Sequence, residues 1–137
     1  MWKIYALLAA VFASMTAIFS KIGVKDIDSN LATAIRVSFI LLLTWGIVFV
    51  TGAFKNIKSI STHSLTFLFL SAIATGLSWL FYFKALQIGD VSKVAPIDKL
   101  SVAITIFIAI IFLGEPASIK TIAGGILITL GSFVLLL

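Results

Sequence analysis

Five stretches of this chain are apolar and charge-free over lengths that matter in lipid. Residues 4–20, 37–54, 64–83 and 121–137 contain no Asp, Glu, Lys or Arg. A fifth, residues 100–113, is also charge-free and reaches spanning length when extended back toward Val94. A bilayer core is about 30 Å thick, so a helix rising 1.5 Å per residue needs about 20 mainly apolar residues to cross it. Five such segments leave only short turns for the rest of the 137 residues. The chain therefore reads as a polytopic membrane protein without a soluble domain.

Backbone groups in lipid must be satisfied within the spanning structure, which restricts it to helices or a closed barrel. Barrel strands alternate polar and apolar residues over about ten positions. The run ITIFIAIIF at 104–112 is apolar on every side, so helices are expected. Charged residues make up 11% of the chain, against about 25% in soluble domains. A cleaved signal peptide is the rival reading of the first segment, with Lys3 as its basic end. Its 17 uncharged residues exceed a usual signal core and lead directly into another span. The net charge of +5 comes from basic residues flanking the spans, where they meet headgroups and set orientation rather than binding nucleic acid. With no cysteine, disulfides, thiolate metal sites and a cysteine nucleophile are excluded.

The pattern predicts one domain over residues 1–137, an all-α bundle of five helices at about 4–23, 31–52, 65–86, 93–113 and 119–137. In the first, Ala6, Ala10 and Ser14 form one small-residue stripe and Ala9, Ala13 and Ala17 another. Such stripes let helices approach closely in lipid. The third helix is the most aromatic and carries Ser71, Thr75 and Ser78 along one face. The fourth has Pro96 in its first turn, where proline is tolerated, and a small face of Ser101, Thr105 and Ala109. In the fifth, Gly124, Gly125 and Gly131 are expected to line the packing side. Five crossings put the two termini on opposite faces of the membrane. Two such units joined head to tail would then have opposite orientations, as in inverted-repeat transporters.

The strings FYFKALQIGD at 81–90, VAPIDKLS at 94–101, FLGEPAS at 112–118 and GGILITLG at 124–131 resemble the EamA domain of the drug/metabolite transporter superfamily. The likeness is strongest over residues 76–135 and extends over the whole chain. It implies half of a ten-helix inverted-repeat transporter. A chain with one such domain would then act as a homodimer in the plasma membrane of a prokaryote, with alternating access and no cofactor. The small multidrug resistance proteins are cousins of similar size that depend on a glutamate in their first helix. The first helix here has no acidic residue, which sets that reading aside.

Asp98 and Lys99 are the sharpest chemical signal. An ionisable group at the centre of a span costs about 2.5–3.5 kcal/mol on insertion scales and marks a functional candidate. The two are about 100° apart on a helix and cannot both face one neighbour. Asp98 shares a face with Ser101 and Thr105, and Lys99 reaches headgroups by snorkelling. Arg36, at a comparable depth in the second helix, is a second potential counter-ion. Asp98 is thus either a substrate-binding or proton-coupling carboxylate or half of a structural ion pair. Trp79, Tyr82 and Phe83 read either as a cavity wall for an apolar or cationic substrate or as interfacial anchors. Ser14 and Thr16 offer hydroxyls to a substrate or to a neighbouring helix. Glu115 and Pro116 belong to a tight turn, where Glu115 is expected to cap the last helix or pair with Lys120. His63 reads as a solvated turn residue, and one histidine without cysteine makes no metal site.

No HExxH, GxSxG or phosphate-binding glycine loop occurs, which argues against an enzyme. The readings that remain are a secondary transporter of a small metabolite or drug-like molecule, a non-transporting subunit of a larger partner, and a flippase for a lipid-linked sugar. Orientation follows the flanking basic residues. Lys3, Lys55, Lys58 and Lys120 lie on the side of the N-terminus, and Lys21, Lys25, Lys84 and Lys93 on the other. Arg36 and Lys99 add to the second side only from within the helices. So even a balance predicts dual topology and an antiparallel homodimer. A single orientation with a parallel dimer is the alternative.

Overall fold

The computed structural model describes residues 1–137 and contains helices and no strand. In chain order these are α1 (Trp2–Gly23), α2 (Ser29–Val50), a 3₁₀ segment (Ala53–Ser59), α3 (Thr62–Ile88), α4 (Val91–Asp98), α5 (Leu100–Phe112) and α6 (Ile119–Val134). By length and composition α1, α2, α3 and the continuous stretch Val91–Phe112 can each cross a membrane. The fold is therefore the helical membrane fold that the charge-free segments imply.

Several element ends differ from the sequence expectation. The third helix starts at Thr62, not near 65, so His63 lies in its first turn, with its ring 4.8 Å from that of Phe67. The last helix closes at Val134 after 16 residues, about 24 Å of rise, and is shorter than the four helices long enough to cross a membrane. The fourth helix differs most. Instead of one helix over 93–113 it comprises α4 and α5, broken at Lys99. α4 begins at Val91, which moves Pro96 from the first turn into the helix interior. There proline lacks the N–H for the Ser92 carbonyl and its ring crowds that carbonyl. Three residues on, the backbone tightens. Lys99 N–H donates to the Pro96 carbonyl at 3.0 Å and Val102 N–H to the Lys99 carbonyl at 2.9 Å, both 3₁₀-type bonds.

Contacts gather in two compact units, Ser20–Gln87 and Met1–Phe19 with Ile88–Leu137. In Ser20–Gln87, Val24, Ala32, Phe83 and Leu86 are buried. Asp28 caps α2, its Oδ1 accepting from Asn30 N–H at 2.9 Å and Leu31 N–H at 3.0 Å. Lys21 Nζ donates to the Leu86 carbonyl at 2.7 Å, meeting one of the carbonyls that a helix C-terminus leaves open. Gln87 Nε2 donates to the carbonyls of Val24 at 3.2 Å and Ile27 at 2.9 Å. The α1–α2 turn is thereby tied to the end of α3.

In the other unit α5 and α6 form a hairpin. Gly114 makes the reversal at φ +66°, a conformation that costs little only for glycine. The Glu115 N–H reaches back to the Ala109 carbonyl at 3.2 Å. α6 is capped by Ser118, whose Oγ accepts from Thr121 N–H at 3.1 Å, so Ser118 takes the capping role expected of Glu115. Of the three α6 glycines, Gly125 is the one in close contact. A Cβ there would meet Ile106 Cδ1 at 3.3 Å, whereas one at Gly124 or Gly131 would meet nothing within 4 Å. α5 and α6 flank an apolar groove of about 330 Å³ that includes Ala103, Ile106 and Gly125.

Gly125→Leu should therefore destabilise the protomer by about 1–3 kcal/mol through overpacking, lowering its thermal midpoint in detergent. Gly131→Leu should leave that midpoint within the range of ordinary surface changes, about 0.5 kcal/mol. Melting of both variants followed by near-UV circular dichroism checks the contrast.

Candidate functional site

The break between α4 and α5 brings together Pro96, Asp98, Lys99 and Ser132. Ser132, on α6, is buried, and its Oγ donates to the Pro96 carbonyl at 3.1 Å. That carbonyl would serve Leu100 N–H in an uninterrupted helix. It is now met by Lys99 N–H and the Ser132 hydroxyl. Neighbouring hydroxyls commonly re-satisfy backbone around proline in a span. Lys99 is the C-cap of α4 and the N-cap of α5, at φ −71°, ψ −6°. From there its Nζ reaches Asp98 Oδ2 at 3.1 Å. The two side chains stay 53% and 34% exposed, respectively. An ion pair left this open adds little stability. Inside a bilayer it must meet water, a solute or another protein surface rather than acyl chains.

On a regular helix Asp98 and Lys99 would point about 100° apart. The break lets the lysine fold back, and adjacent residues become a pair. Ser101, one turn from Asp98, is exposed. Its carbonyl accepts from Thr105 Oγ1 at 2.8 Å.

The second constellation lies in Ser20–Gln87. Arg36 sits in α2, seven residues past Ser29, about 10 Å along the axis. Its guanidinium carbon is 4.4 Å from the Trp79 ring centroid and 5.5 Å from that of Phe83. Both distances fall within the reach of cation–π attraction. Trp79 and Phe83 are one turn apart on α3 and form one face. Trp79, half-buried, is thus the seat of the protein's own cation. Phe83 is buried and completes the seat. Tyr82, on the same helix as these rings, is the polar neighbour of Arg36, and no carboxylate of this unit pairs with it.

Other candidates have local roles. Ser14 Oγ donates to the Val11 carbonyl of its own helix at 2.7 Å. Trp45, Phe49 and Phe54 stack in a row from α2 into the 3₁₀ segment, with centroids 5.8 and 5.7 Å apart. Such clusters at a helix end serve as interfacial anchors. The Ser132–Pro96 bond and the Gln87 clamp are the polar contacts that sequence reasoning did not identify. The only hint of the first was a proline followed two residues later by two charges in an otherwise apolar run. For Gln87 the hint was a polar residue beside the last apolar turn of α3.

The sequence profile of the EamA-like transporter family matches residues 1–137. The chain is 42% identical over 134 residues to an uncharacterized transporter from Sinorhizobium sp., covering 98% of this chain and 95% of the relative. It is 30% identical over 132 residues to an uncharacterized protein of Methanocaldococcus jannaschii, covering 96% and 93%. An uncharacterized transporter of Bacillus subtilis, YvbV, is 31% identical over 125 residues, covering 90% of this chain but only 40% of that protein. No solved structure matches. A helical membrane fold with charges inside its spans and a family match along its whole length lead to one conclusion: the chain belongs to the EamA-like transporter family.

Proposed function

We propose that this protein is a secondary transporter for a small solute that works by alternating access as an antiparallel homodimer in a prokaryotic plasma membrane. The observation that carries the reading is the open Asp98–Lys99 pair at a break in a membrane span. Discontinuous helices near the bilayer midplane supply binding sites in inverted-repeat transporters. Here the break gives a carboxylate and an ammonium a place in the span that a continuous apolar helix would not. Asp98 is the residue proposed to bind or couple, Lys99 its counter-charge, and Ser101 a polar neighbour on the same side.

The homodimer is supported by two observations. Within the protomer no more than 11% of the residues in any spanning window are buried, which leaves most helix faces for lipid or a second chain. The unit also occurs in relatives of its own length and as 40% of a longer one. With α6 crossing as a fifth span, only opposed protomers reproduce an inverted pair.

In proteoliposomes, Asp98→Asn should reduce flux at least tenfold while the dimer persists on size-exclusion chromatography. Labelled amino acids, nucleosides, sugars and quaternary amines form the first panel. Undiminished flux would remove Asp98 from the mechanism, and loss of the folded dimer would make the pair structural. For topology, a single cysteine at Asn56 in the exposed 3₁₀ segment, added to this cysteine-free chain, reports orientation. About half should react with an impermeant maleimide in intact cells and the rest only after permeabilisation. All-or-none labelling would contradict dual insertion.

A further inference from the structure

Arg36 is a permanently charged group in a span with two kinds of binding surface. The guanidinium carbon lies over the rings of Trp79 and Phe83. The edge carries five N–H donors in a fork that matches a carboxylate or phosphate. In the Ser20–Gln87 unit no carboxylate pairs with it; its polar neighbour is Tyr82 of α3. The unit's carboxylates are Asp26, in the exposed α1–α2 turn, and Asp28, whose Oδ1 caps α2. Ring faces stabilise a desolvated cation. That leaves the guanidinium without an anionic partner in this unit.

We propose that Arg36, oriented by Trp79 and Phe83, is an oxyanion-binding site and that the solute this protein moves carries a carboxylate or a phosphate. The claim about the solute rests on the transporter reading; the binding site does not. The geometry also turns the aromatic wall against cations. Trp79 and Phe83 attract positive charge, but the protein's own guanidinium occupies their faces. A quaternary amine would meet an arginine there rather than an open aromatic cage. An apolar tail on the anion has Trp79 and neighbouring apolar residues of α3 beside it. An oxyanion in this position has two sources, a dissolved solute or a lipid phosphate to which Arg36 snorkels.

Trp79 is itself the reporter. The chain has three tryptophans, so Trp2→Phe with Trp45→Phe leaves Trp79 alone. In phosphatidylcholine vesicles, hexanoate and inorganic phosphate should shift Trp79 emission saturably, while hexanamide and hexyltrimethylammonium should not. Arg36→Gln should weaken the response to both oxyanions at least tenfold. Arg36→Lys, which keeps the charge but loses the fork, should retain part of it and guard against simple misfolding. If phosphatidylglycerol vesicles produce the shift unaided and abolish the response to hexanoate, the oxyanion is a lipid headgroup, and the claim about the solute falls. Saturable binding of hexyltrimethylammonium, unaltered oxyanion binding in Arg36→Gln, or no oxyanion response in either vesicle would overturn the site. Oxyanion binding without flux of any labelled solute would leave the site standing and contradict the transporter reading. Cation flux insensitive to Arg36→Gln would do the reverse.

Discussion

A polar group within a lipid bilayer must find its partner in protein, because the hydrocarbon offers none. That constraint organises this molecule more than apolar burial does. Pro96 withdraws one N–H from the span Val91–Phe112, and the helix answers with two 3₁₀-type bonds and a hydroxyl from α6. Lys21 and Gln87 do the equivalent work where α1 turns into α2, each donating to carbonyls that the helix ends leave open. Ser14, Thr44 and Thr66 return their hydroxyls to their own helices. Against that background, the open Asp98–Lys99 pair is an exception, and Arg36 is a cation seated on aromatic rings with no carboxylate of its own unit.

Helices in lipid are not driven together by the hydrophobic effect, since acyl chains are as apolar as leucine. Close packing must come from small residues and hydrogen bonds. Gly125 against Ile106 is one such contact within the protomer. Gly124 and Gly131 are open there. Little of each spanning window is buried within the chain.

The membrane class was legible because five long charge-free stretches leave no other fold. Helix ends were less so. α4 starts two residues early, and α3 extends past its expected end, because polar residues such as Thr62, His63 and Gln87 join a helix once tertiary contacts or solvent satisfy them. The break at Lys99 was hidden by the hydrophobic pattern, which continues across it. Proline at 96 was visible, but whether it falls in a first turn or an interior depends on a start that sequence places only within a few residues. Lys99 was one of two counter-charges the sequence offered Asp98, and the structure pairs them at that break. Seating Arg36 on Trp79 and Phe83 requires α2 and α3 to be in register there, a fact of packing that spacing within either helix does not contain.

If the charged break is turned toward an opposed copy, symmetry sets a sharp condition. In an antiparallel dimer the two-fold axis lies in the membrane plane, so a residue meets its own copy only near mid-depth. Ser101 and Val102 stand at the middle of the 22-residue span Val91–Phe112. Oxidative cross-linking of single cysteines at Val94, Ser101 and Ile108 in native membranes tests this directly. The expected result is a covalent dimer from Ser101→Cys and none from Val94→Cys or Ile108→Cys. Dimers from Val94→Cys or Ile108→Cys, or none from any of the three, would contradict it.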